Sequence, residues 1–120
     1  MMKRIVICGL LLLAGCSAQP LPISNVEQNW YEFGQQRAEN GWLKQSAQTL
    51  AKRDPEGLMT PKLYLAYESG YAQGQQTYCA QSAYVLGLTG KPYNGICARL
   101  DPFFYQDYVS GRHSTAGTMF

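Results

Sequence analysis

The chain has 120 residues, with ten Lys and Arg against eight Asp and Glu and a single histidine. That length accommodates one small domain rather than two. No cluster of basic residues tracks a phosphate backbone, so nucleic acid is excluded as an expected partner.

Lys3 and Arg4 precede an apolar run from Ile5 to Leu13, and Ala14, Gly15 and Cys16 follow. A basic start, an apolar centre and small residues form a secretory signal pattern. The run falls short of the roughly 18 residues needed to cross a bilayer. The order Leu13-Ala14-Gly15-Cys16 resembles the lipobox of bacterial lipoproteins, in which the cysteine is acylated and the preceding residues are removed. A plain signal peptide with a chance cysteine is the alternative. In the lipoprotein class, Ser17 after the modified cysteine implies the outer membrane of a Gram-negative cell. The expected organisation is a removed signal at 1–15, lipidated Cys16 and a linker at 16–23, a helical domain at 24–112, and a flexible tail at 113–120. Loss of Lys3 and Arg4 leaves eight basic and eight acidic side chains, so the mature domain carries no net side-chain charge.

Helix signals recur along this domain. Ser24 followed by Glu27 fits a capping box, Val26, Trp30 and Phe33 keep an approximate helical period, and Gly41 supplies a stop. Leu43, Ala47, Leu50 and Ala51 predict a second helix over residues 43–53, before the Asp54-Pro55-Glu56-Gly57 turn. Thr60-Pro61 is a cap followed by proline at the first helical position, and the period continues to Tyr78. Gly90-Lys91-Pro92 reads as a helix stop and turn. Asp101-Pro102 opens a last short helix that Gly111 is expected to end. The fold class is mainly α, a small single domain of short packed helices.

On the helix after Pro61, Tyr64, Tyr67, Tyr71 and Tyr78 fall within a sector of about 60°, with Gly70 and Gly74 beside it. Close helix packing is one reading, and short Tyr- and Gly-containing strands are the other. An aromatic-x-x-Gly unit occurs four times, at Tyr31–Gly34, Tyr67–Gly70, Tyr84–Gly87 and Tyr108–Gly111. The unequal gaps exclude a solenoid of fixed period. Local packing accounts for the units, while Tyr64, Tyr67 and Tyr71 are also candidates for a recognition patch.

Two cysteines remain beyond the lipid site, Cys79 and Cys97. Export to an oxidising compartment favours a structural disulfide between them. A redox-active or metal-binding pair is the rival reading, although the chain has no C-x-x-C.

Several of these pieces resemble a family of small bacterial lipoproteins of unassigned function, DUF2799. They are Asn29-Trp30-Tyr31-Glu32-Phe33-Gly34, Tyr67 to Gly74, Tyr78-Cys79, Gly87 to Cys97, and Phe104 to Arg112. The pattern departs at Asn29, where the resemblance leads one to expect an acidic residue, and at Arg37-Ala38, where it leads one to expect Asp-Gly. It implies lipidation and an envelope location, and it supplies no substrate or catalytic residue.

Catalytic constellations are sparse. His113 with Ser114 and Asp107 lacks an elbow motif. Glu32, Glu68 and Asp107 fit solvated helix positions better than a hydrolytic carboxylate pair. No cofactor or metal set is expected. The expectation is a non-enzymatic envelope lipoprotein, attached to the bilayer through Cys16 and contacting an envelope protein or peptidoglycan. A glycan- or peptidoglycan-binding module with a tyrosine-rich surface is the alternative.

Overall fold

The computed structural model describes residues 20–118, with side chains through Ser114. The signal, Cys16 and the end of the tail therefore lie outside the described residues. Among those described there are five helices and no strand: α1 Glu27–Glu39, α2 Ala47–Arg53, α3 Pro61–Cys79, α4 Ala83–Leu88 and α5 Phe104–Thr118. The fold is thus helical, and Cys79 and Cys97 are joined by a disulfide with their Cα atoms 5.5 Å apart.

Side-chain chemistry sets most helix ends. Thr60 accepts the Leu63 N–H ahead of Pro61, as the sequence predicts. Ser46 and Ser82 cap α2 and α4 in the same way. α1 and α4 share one stop: Gly41 (φ +76°) and Gly90 (φ +74°) adopt the left-handed conformation. Around them Gly41 N–H bonds Ala38 O while Trp42 N–H bonds Arg37 O, and Gly90 N–H bonds Gly87 O while Lys91 N–H bonds Leu86 O. Those two bonds per end satisfy carbonyls the helix leaves open.

Three sequence expectations are corrected. Ser24 does not cap α1; its hydroxyl accepts the Val26 N–H and the Asn29 amide, and the helix begins after Val26. Residues 43–45 are not helical, because Ser46 starts α2 later. Gly111 does not stop the last helix, which continues to Thr118 where a loose tail was expected. Gly111 is instead needed inside α5 for packing.

That packing explains the aromatic-x-x-Gly units, which pair two by two. A Cβ on Gly34 would sit 2.1 Å from Tyr67 O, and one on Gly70 would sit 1.9 Å from Tyr31 O. In the second pair, a Cβ on Gly87 would meet Tyr108 O at 2.0 Å, and one on Gly111 would meet Tyr84 O at 2.0 Å. Each glycine therefore lies on the carbonyl of its partner unit's tyrosine. α1 crosses α3, and α4 crosses α5, with backbones in direct contact. α1 and α3 run parallel: Glu27 pairs with Lys62 at 3.6 Å near their starts, Gly74 lies against Gln35 and Ala38, and Gly41 meets the Tyr78 ring.

Each crossing has its own apolar cluster. Trp30, Phe33, Leu50, Leu63 and Tyr67 form the first, joined by Leu21 from the segment before α1. Tyr78, Ala83, Leu86, Ile96, Cys97, Phe104 and Tyr108 form the second. α3 contributes to both.

Candidate functional site

α1 hands the chain to an extended strap, residues 42–45, which crosses the face of α3. Four side chains clamp it. Tyr71 donates its hydroxyl to Trp42 O at 2.7 Å, and Arg37 donates Nε to Leu43 O. Tyr67 accepts the Gln45 N–H at 3.0 Å, while Tyr64 donates to Gln45 O at 2.9 Å. The Arg37 guanidinium also lies 5.6 Å from the centre of the Trp42 ring. Just upstream, the Asn94 amide donates to Gly41 O at 3.0 Å and links the strap's root to the disulfide-bearing loop.

These bonds correct the recognition-patch expectation for Tyr67 and Tyr71, whereas Tyr64 keeps an exposed part beside a surface hollow. Tyr67 and Tyr71 are buried core residues, and Tyr64 is half-buried and stacked on Tyr67. Their hydroxyls are spent on the strap's backbone. Burial pushes the Tyr71 phenol up to about 12, with the neighbouring Tyr67 adding to the rise. Burial raises Tyr67 and Tyr64 as well, Glu68 contributing at Tyr64.

Beside the charged Lys44, the strap presents two apolar side chains outward. Trp42 is 37% exposed and Leu43 is 59% exposed. Leu43 borders a groove of about 640 Å³ whose opposite wall is the 95–100 loop, with Arg99 and Leu100 on its rim and Tyr71 lining it. Lys44 and Glu68, also lining the groove, form an ion pair at 3.1 Å. The loop wall is fixed too: the Gln75 amide donates to Ile96 O, Tyr93 accepts the Cys97 N–H, and Cys97 is bridged to α3. Both walls are therefore held in place before any partner arrives.

Sequence reasoning missed Trp42, Leu43, Arg99 and Leu100. It assigned Leu43 to the buried face of a helix that begins only at Ala47. The available signal was an apolar pair between a glycine stop and a serine cap, where turn residues are the usual occupants.

The other sequence candidates are not brought together. Glu32 is exposed and accepts from Gln28, whereas Glu68 is paired with Lys44. Asp107 and His113 are exposed and lie six residues apart on α5, which puts them about 120° apart around the helix. Ser114 accepts the Tyr84 hydroxyl at 2.6 Å. Among the described residues no group of three or more His, Cys, Asp or Glu is placed to hold a metal ion. No described helix is long and apolar enough to cross a membrane.

Neither the curated proteins nor the solved structures contain a match to this chain. A family model described as a protein of unknown function (DUF2799) matches residues 29–113, from the first turn of α1 into α5, and the chain belongs to that family.

Proposed function

We propose that the mature chain is a non-catalytic, lipid-tethered lipoprotein of the cell envelope, on the periplasmic face of the outer membrane, that works by contact with another envelope component. Support for the tether is the order of Lys3-Arg4, the apolar run and Leu13-Ala14-Gly15-Cys16. The observation that carries the contact role is the clamped strap holding Leu43 beside a groove with Leu100 on its far wall. Side chains held rigidly at a surface lose little entropy on binding, and Trp42 and Arg99, exposed next to Leu43 and Leu100, are of the types enriched among interface anchors. The alternative, a glycan held on a tyrosine surface, has less support, because two of its three named residues, Tyr67 and Tyr71, are in the core.

Photocrosslinking in intact cells tests the contact. A photoreactive residue at Leu43 or Leu100 is expected to give a discrete adduct, while one at exposed Glu56, in the turn before α3, gives none. Adducts that are absent, or the same at all three positions, reject the reading. Co-sedimentation of an adduct with sacculi after detergent extraction separates a peptidoglycan partner from a protein one.

A further inference from the structure

Between Cys16 and Pro20 the chain advances four residues, at most about 14 Å when fully extended. From Leu21 onward it is fastened to the domain. Leu21 packs on the first cluster, the Trp30 indole donates to Ser24 O at 2.8 Å, and the Ser24 hydroxyl holds Val26 and Asn29. A lipid on Cys16 would then be joined by a short arm to a fixed entry segment rather than by a free linker. Because α1 and α3 run parallel and are tied by Glu27 and Lys62, both start at the end of the domain that this segment leads into.

That end exposes apolar side chains among polar ones such as Asn25, Glu27 and Gln28. Ile23 is 71% exposed, more than any other large apolar side chain among the described residues, and Val26 is 51% exposed. Leu65, one turn after Lys62, is 62% exposed and borders a hollow of about 470 Å³ lined mainly by apolar side chains of α2 and the start of α3. The Lys62 side chain is 77% exposed.

Resting on the lipid-anchor reading above, we infer that this end of the domain sits on the bilayer, with Ile23, Val26 and Leu65 entering the boundary between headgroups and acyl chains. Lys62, exposed and paired with Glu27, lies at the level of the headgroups with its stem along the apolar layer. Such burial adds to the hold of the acyl chains through the apolar area removed from water. The strap follows the opposite end of α1, about 18 Å along the helix axis. The groove lies further along α3 than Leu65, between Glu68 and Gln75, where a partner reaches it beyond the lipid.

Depth-dependent quenching tests this on the full-length, processed protein in vesicles of phosphatidylethanolamine and phosphatidylglycerol. In the processed chain Cys16 would be acylated and Cys79 is bridged to Cys97, so single cysteines introduced at positions 23, 26, 65, 43 and 100 are the only free thiols for an environment-sensitive dye. Dyes at 23, 26 and 65 are expected to shift to the blue and lose emission with brominated lipids, and those at 43 and 100 to do neither. The paired change I23D/V26D, at two exposed positions, is expected to remove the blue shift at 65. Quenching at 43 and 100, equal quenching at both ends, or none anywhere overturns the inference. The mass of the purified protein is read first. If Cys16 carries no diacylglyceryl group, the anchor reading fails and takes this inference with it; a lipidated protein without quenching at 23, 26 and 65 overturns the seating alone.

Discussion

At the scale of single residues, tyrosine hydroxyls matter as much as tyrosine rings. Placing Tyr64, Tyr67, Tyr71 and Tyr78 on one helix sector was possible from spacing, because a helix repeats about every 3.6 residues. Their hydroxyl partners were not legible, since Trp42 O and Gln45 N–H belong to irregular backbone with no period to read. Replacing Tyr71 by Phe removes the donor to a strap carbonyl and is expected to cost about 1 kcal/mol. Faster amide exchange confined to residues 42–45 would mark the loss as local; unchanged exchange there would mean that the strap does not depend on this bond. Tyr71 also makes a pH prediction. Folding favours its neutral phenol, so its contribution is complete below the ordinary value of 10.0 and is lost as pH rises through about 12. Tyrosinate absorbance should show Tyr71 and the other buried phenols lagging behind the exposed ones, with helix content falling as they ionise. Ionisation of every phenol near 10 in a still-folded protein contradicts this.

At the scale of elements, glycine has two jobs that look alike in sequence. Gly41 and Gly90 end helices through a left-handed backbone, whereas Gly34, Gly70, Gly87 and Gly111 sit inside helices where a neighbouring carbonyl occupies the space of a Cβ. Helix propensity alone favours Ala over Gly by roughly 1 kcal/mol in a helix interior. Steric exclusion reverses that preference here, and it is why Gly111 was misread as a stop. The spacing from proline to crossing is also repeated, Pro61-Tyr67-Gly70 and Pro102-Tyr108-Gly111. The repeat was visible as four units, but which unit meets which required the crossings. Gly34→Ala, Gly70→Ala and Gly111→Ala should each destabilise by about 1–3 kcal/mol or more, since overpacking against backbone has no cheap relaxation. Gly57→Ala tests the other mechanism: φ is +62° with open space around it, so only backbone strain of about 1 kcal/mol is expected. Urea midpoints compare all four. A neutral Gly111→Ala would refute the crossing as the reason for that residue.

At the scale of the whole molecule, one domain was legible from length and one disulfide from cysteine count and the export signal. The division of the core into two clusters was not, because it follows from which helices cross rather than from hydrophobic pattern along any one of them. α3 runs through both clusters, and the Cys79–Cys97 bond ties its end to the buried loop of the second. The second crossing also rests on a shorter helix, the six residues of α4 against the thirteen of α1. The cysteines are 18 residues apart, and closing a loop of that size stabilises by about 3 kcal/mol in the chain-entropy account. Replacing both by Ser should lower the melting temperature by about 10 °C or more in a domain this small. The loss should also be uneven. Amide protection in α4 and the start of α5 is expected to fall further than protection in α1, because the first crossing keeps its cluster, its glycine contacts and its tyrosine-clamped strap. An even loss across both crossings would show that the two clusters unfold as one unit and that the disulfide acts on the domain as a whole.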